Sequence, residues 1–248
     1  MAEFKLPTET VELPSKGLLY PEDSPLASGT IEMKYMTAKE EDILTNQNLI
    51  QKGTVIDKLL QSLIVDSNIN YNDLLIGDKN AIMIAARILS YGKDYTFTYG
   101  GEKITVDLTT LKNRETDTKL LEGSKNQFEF TLPHTDNTIT FKLLTHGDEQ
   151  KIDREIKGLQ KINKDNSSEV TTRLKHMITS INGSTESKDI RTFVDNYLLA
   201  KDARALREQY SKINPDIDLV FTYEAADGRE EELDLPIGLT FFWPDAGA

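Results

Sequence analysis

The run Val55, Ile56, Leu59, Leu60, Leu63, Ile64 sets apolar side chains at spacings of one and four residues, the stripe of an amphipathic helix. A second run, Ala81, Ile82, Ile84, Ala85, Ile88 and Leu89, is apolar over most of a helical circumference. It is expected to be the most buried helix, opened by Asp78 as its cap and closed by Gly92. Upstream, Ile31, Met33 and Tyr35 alternate with Glu32 and Lys34, the period of a half-buried strand. Thr37-Ala-Lys-Glu40 then reads as a capping box and predicts a helix from Ala38 to about Leu49.

Beyond Gly92 the period changes to two. Tyr95–Tyr99 and Lys103–Leu108 flank Gly100-Gly101 and predict a hairpin. Residues 110–125 read as a polar connection. A second hairpin pairs Phe128–Leu132 with Thr138–Leu143 across turn-forming residues. Helices are expected over residues 147–164 (Ile152, Ile156, Leu159, Ile162), over Val170–Ile181, and from Lys188 to about Lys212, where Pro215 stops the chain. The last stretch, Leu219–Pro244, reads as strand, acidic turn, strand and the aromatic end Phe241-Phe-Trp-Pro244. The three hairpins share a cadence, but alternating strands with polar turns converge on it easily. Strands and helices in this order indicate an α+β fold with several antiparallel β-hairpins and an extended N-terminal arm, rather than a parallel sheet. The boundaries expected are an arm over 1–29, a strand-helical-hairpin domain over 30–110, and a hairpin-helical domain over 126–248 that includes the terminal hairpin.

Both ends carry apolar material with little capacity to form a core of its own. Pro7, Pro14, Pro21 and Pro25 make the arm extended, and Leu13, Leu18, Leu19 and Tyr20 suit it for lying on a surface. Leu13, Pro14, Leu18, Tyr20 and Pro21, with Phe242, Trp243 and Pro244, are therefore the candidate contact residues, for a partner or for each other. Strand alternation turns Phe241 inward. If these contacts serve a partner, deleting residues 241–248 abolishes partner binding and leaves the fold. Collapse would instead assign the aromatics to the core.

The 248 residues suffice for one large domain or two small ones. The net charge of −12 argues against nucleic acid and against anionic membranes, which need clustered Lys and Arg. With no cysteine, disulfides and thiolate chemistry are excluded and a reducing cytoplasm is compatible. No run approaches the roughly 20 apolar residues of a membrane span, and the start lacks the pattern of a secretory signal. The expected site of action is the cytoplasm.

No catalytic constellation emerges. The three histidines, His134, His146 and His176, lack ligand spacing and read as surface residues. Ser15 and Lys16 are neighbours on an extended segment and would point apart, so they do not make a nucleophile and its base. No phosphate-binding glycine loop and no calcium loop occurs. Acidic runs such as Glu40-Glu41-Asp42 and Glu230-Glu231-Glu232 read as solvated faces. No enzymatic activity, metal or cofactor is expected, and the chain reads as an interaction protein.

Three segments carry a resemblance. They are Leu13-Pro-Ser-Lys-Gly-Leu-Leu-Tyr-Pro21 with Gly29–Leu44, then Leu75-Ile-Gly-Asp-Lys-Asn80 running on to Tyr95, and Leu235-Pro-Ile-Gly238 with Phe241-Phe-Trp-Pro244. The chain resembles the tail baseplate hub and hub-assembly proteins of T4-type contractile-tailed phages. Met36–Leu44 also resembles tail assembly chaperones more widely. The resemblance implies a protein needed to build the central baseplate hub, in the host cytoplasm and then in the virion tail baseplate if it stays. It implies other hub proteins and the tape-measure protein as partners. Two roles fit, a structural subunit or a chaperone that leaves, and a homo-oligomer is compatible with either. The rival class is a peptidoglycan hydrolase of the tail hub, which requires converging carboxylates or a metal. The resemblance further implies Cys-x-x-Cys zinc knuckles at Tyr99–Glu102 and Ala225–Gly228. Here those turns read Tyr-Gly-Gly-Glu and Ala-Ala-Asp-Gly, so zinc is not expected.

Overall fold

In the computed structural model, which describes residues 6–162, 168–224 and 228–242, the N-terminal arm is the first strand of the fold. Strand β1 (Thr8–Glu12) pairs antiparallel with β2 (Thr30–Lys34), Val11 opposite Ile31. Between them the arm folds back through tight turns, with the Leu13 amide donating to the Gly29 carbonyl at 2.9 Å. A Cβ on Gly17 would lie 2.4 Å from the Ala27 carbonyl oxygen, so only glycine fits this crossing.

The capping box forms: the Glu40 carboxylate reaches back to the Thr37 amide (3.0 Å) and accepts Lys34 Nζ at 2.8 Å. The expected helix to Leu49 is, however, two helices, α1 (Ala38–Leu44) and α2 (Gln47–Lys52). Asn46 divides them, its side chain accepting from the amides of Asn48 and Leu49 and starting a new helix. Helix α3 (Val55–Leu63) buries Val55, Leu59, Leu60 and Leu63 as its stripe requires. Helix α4 (Ile76–Tyr91) is buried over most of its circumference. Its N-cap is Leu75, so Asp78 is not its cap but a buried residue of its first turn.

The hairpin of β3 (Asp94–Tyr99) and β4 (Glu102–Asp107) turns at Gly100-Gly101, both at positive φ. The polar connection holds one short helix, α5 (Thr118–Leu121). Strands β5 (Phe128–Thr131) and β6 (Thr138–Phe141) pair as expected, and helix α6 runs from His146 to Ile162. Helix α7 (Glu169–Met177) stops short of the expected Ile181. Ile178–Ile181 is instead strand β7, which takes the free edge of β6 and makes a three-stranded sheet. Its Ile-Thr-Ser-Ile sequence suits a strand, and Asn182-Gly183, both at positive φ, turn the chain after it.

The long helix expected from Lys188 is also two, α8 (Ser187–Asn196) and α9 (Ala200–Ile213). Asp202, fully buried in the first turn of α9, accepts from the His134 amide at 2.9 Å and Thr135 Oγ1 at 2.8 Å. Those bonds to the β5–β6 turn give α9 its own start. Strands β8 (Val220–Glu224) and β9 (Glu230–Asp234) form the terminal hairpin. Every strand pair is antiparallel, and the fold is α+β.

Two apolar cores result. One gathers the arm, β2, α1, α3, α4 and the β3–β4 hairpin; the other gathers β5–β7, α6 and the helices after it. The terminal hairpin belongs to the first core, although its position in the chain grouped it with the second half. Leu235, Phe241 and Phe242 are buried there, Phe97 meets Phe221 edge-on at 5.9 Å, and Phe241 meets Tyr95 at 4.8 Å. The buried Arg87 guanidinium lies over Tyr91 and Tyr95 and donates to the Gly92 and Asp94 carbonyls, holding the end of α4 to the hairpin.

In the second half, α6, α7 and α8 are clasped by ion pairs. Arg173 binds Glu149 through two bonds of 2.6 and 2.9 Å, and Arg191 binds Glu155 through two of 2.6 and 2.8 Å. His176 adds a contact of 2.9 Å to Glu155. The Arg191 bonds, with help from His176 against partial burial, hold the Glu155 carboxyl down at about 2.

Phe241→Ala should cost about 3–5 kcal/mol in urea unfolding, as for other fully buried phenylalanines, so truncation at 241 collapses the first core. Because the Glu155 pKa is depressed on folding, its contribution is present above the ordinary value of 4.5 and is lost as pH falls from there towards about 2. The stability gap between wild type and Glu155→Gln should therefore be constant near neutrality and shrink across that acid window when unfolding is measured at successive pH values.

Candidate functional site

The first turn of α4 is where the arm, both cores and the terminal crossing meet. Asp78 Oδ1 accepts the Ser15 amide at 2.9 Å, and Oδ2 accepts Ser15 Oγ and the Tyr20 hydroxyl, each at 2.6 Å. The Tyr20 oxygen in turn accepts the Leu75 amide at 2.9 Å. Burial, with the Asp216 carboxylate adding to it, pushes Asp78 above the usual carboxylate range, while the donors of Ser15 and Tyr20 pull it back. Burial and then the Asp78 charge push Tyr20 far above its ordinary range, so it keeps its proton and donates.

The neighbouring residues bind other parts of the chain. A Cβ on Gly77 would sit 1.9 Å from the Pro215 carbonyl oxygen, so the crossing into the terminal hairpin passes directly over this glycine. Asn80 Nδ2 donates to Asp216 at 3.0 Å. Lys79 reaches Asp57 at 2.7 Å and His146 Nδ1 at 3.2 Å. The Leu74 carbonyl accepts the His146 amide, and the Ile76 amide donates to Leu144, which stitches α4 to the start of α6.

His146 is buried, not the surface histidine its position suggested. It packs edge-on against Tyr71 at 4.7 Å and contacts Gln150 at 2.9 Å. Burial first, then the Lys79 charge, push its pKa below the ordinary value, so the ring is neutral and accepts from Lys79 at Nδ1. The Ser15 hydroxyl donates to Asp78 and not to this ring. Among the described residues no group of three or more His, Asp or Glu is placed to hold a metal ion. The β3–β4 turn, Tyr-Gly-Gly-Glu, offers neither thiolate nor imidazole, so a zinc knuckle does not fit there.

Lys79, Asp57 and His146 lie on the wall of a cleft of about 970 Å³ between the α3–α4 layer and α6. Ile56, Ile76, Met83 and Ile237 give it an apolar floor. A smaller cavity of about 540 Å³ lies beside the arm, with Tyr20 and Pro21 on its rim.

The contact residues expected at the two ends are mostly spent inside the molecule. Leu13 and Pro14 are buried, Leu18 and Tyr20 are half-buried, and of those described only Pro21 is exposed. Phe242 is fully buried beside Phe241, which corrects its assignment as a partner contact. It is core because Tyr95, the α4 surface and Leu235 close over this end of the chain. Trp243 and Pro244 lie outside the described residues, as does most of the Ala225–Gly228 turn. The ends thus bind each other through a shared core that contains both Leu13 and Phe242. The residues missed as a site are Asp78, Lys79, Asp57 and Asp216. The signal in the chain was a carboxylate at the start of a largely apolar helix.

The model of a family described as T4 bacteriophage base plate protein matches residues 7–243. The chain belongs to that family. No curated protein and no solved structure gives a significant match. The match spans the arm, both cores and the terminal hairpin of this base plate protein, so the junction at α4 lies within the family's common extent.

In this base plate protein Asp78→Ala leaves two Ser15 donors and the Tyr20 hydroxyl without an acceptor. It should cost about 3 kcal/mol in urea unfolding and speed tryptic cleavage at the exposed Lys16. Tyr20→Phe should cost about 1–2 kcal/mol.

Proposed function

We propose that this base plate protein is a non-enzymatic component needed to assemble the central hub of the baseplate, acting by protein–protein binding. The observation that carries this reading is the family match over residues 7–243, which takes up nearly all of the chain. The side chains that chemistry would need support it. His146 is held between Lys79 and Gln150, Glu155 is held by Arg191 and His176, and Ser15 is held by Asp78. Each is committed to an internal bond that positions one element against another. The partners of this reading are other hub proteins and the tape-measure protein, met in the host cytoplasm during assembly.

Deleting the gene from the phage that encodes this chain should stop baseplate formation, seen by electron microscopy of infected-cell lysates, and expression in trans should restore it. Complete baseplates in the deletion would overturn the reading. Quantitative mass spectrometry of mature particles then separates a retained subunit, present at fixed stoichiometry, from a chaperone that leaves.

A further inference from the structure

The cleft between α3–α4 and α6 runs against the charge of the molecule. The chain carries 41 acidic against 29 basic residues, yet the cleft is lined by five basic and three acidic side chains. Two of the bases are neutralised in place, Lys79 by Asp57 and Arg173 by Glu149. Lys52, Arg154 and Lys157 remain on the rim, exposed and without an ion pair among the described residues. Arg154 spends only its Nε, on the Gln150 carbonyl at 3.1 Å. Below the rim lies the apolar floor of Ile56, Ile76, Met83 and Ile237.

We infer that this cleft docks an acidic, partly apolar peptide segment of another protein of the baseplate assembly. This rests on the assembly reading above. The occupant is set by complementarity: the rim supplies three cations with no ion pair among the described residues, against the one further carboxylate of Asp153, and the floor supplies apolar surface for side chains alternating with the carboxylates of the partner. Nucleic acid fits poorly, because the rest of the surface is strongly acidic and would repel a phosphate backbone extending past the cleft. The walls belong to both cores and are joined underneath by the Lys79–Asp57–His146 contacts, so the floor is preorganised. The rim charges are long and solvated, and they steer encounter more than they stabilise the fold.

The test uses baseplate assemblies from infected cells. A carbodiimide joins lysines directly to carboxylates in contact with them, and mass spectrometry reads the joined peptides. Lys52 or Lys157 should be coupled to Asp or Glu of a different protein, and the coupling should fall at high salt. The variant K52E/R154E/K157E should lower the yield of complete baseplates at least about tenfold. A control with the same change of charge, K103E/K112E/K201E, should leave the yield within about twofold. Circular dichroism and thermal melting establish that both variants fold. Coupling confined to this chain's own residues, coupling to a second copy in an isotopically mixed sample, or a wild-type yield from the cleft variant each overturn the inference. If baseplates form without the chain at all, the functional reading itself falls. If they need the chain but tolerate the cleft variant, the cleft assignment alone falls.

Discussion

The buried carboxylate of Asp78 is the constraint on which the rest of the structure depends. A carboxylate in the first turn of a helix is favoured by the free amides and dipole there, but taking it out of water is costly unless its oxygens are satisfied. Ser15 and Tyr20 satisfy them, and both sit on the arm, far away in sequence. The need to satisfy this charge therefore fixes where the arm lies. Once the arm is in place, Leu13 and Leu26 complete the first core and Leu19 enters the second. The adjacent residues Gly77, Lys79 and Asn80 fix the crossing at Pro215 and Asp216 and the start of α6. Four consecutive residues, Gly77 to Asn80, thus set the mutual position of parts drawn from the whole chain, and a buried polar cluster of this kind specifies geometry more than it adds stability.

Charge works differently away from this junction. In the second half, ion pairs cross from helix to helix, with Arg173, Arg191 and Lys175 reaching Glu149, Glu155 and Asp195. Bidentate, half-buried arginine pairs have defined geometry, so they register α6, α7 and α8 where the apolar stripes are thin. Of the cations that make no ion pair among the described residues, three line one cleft. In a protein of net charge −12 this cleft carries a local excess of basic over acidic side chains.

For a base plate protein the arrangement has a consequence for how partners are met. Extended ends rich in apolar residues are common docking devices, but here both ends close the first core. Among the described residues, the surface near both ends is therefore formed by folded elements joined at the α4 junction. Binding to such a preformed surface costs little ordering of the folded elements.

Much of the fold was legible in the chain. The stripes of α3 and α4, the capping box at Thr37, and the three hairpins at Gly100-Gly101, Pro133–Asn137 and the acidic terminal turn all follow from local periodicity and turn chemistry. The break at Asn46 was missed although its cause is local, the side chain capping the Asn48 and Leu49 amides; the break at Tyr197 was not legible, because the start of α9 depends on distant bonds such as Asp202 to His134. Ile178–Ile181 continued a helical stripe and became a strand because β6 offered it an unpaired edge. Within the candidate site, the sequence determined that Asp78 is a carboxylate on a largely apolar helix, that Gly77 has no side chain, and that the arm carries Ser15 and Tyr20. Only the tertiary structure decided that these meet, that His146 is buried and neutral, and that Phe242 faces inward. Local pattern reports how a side chain divides between core and water, whereas which core it joins depends on contacts between residues tens to hundreds of positions apart, which no local period encodes.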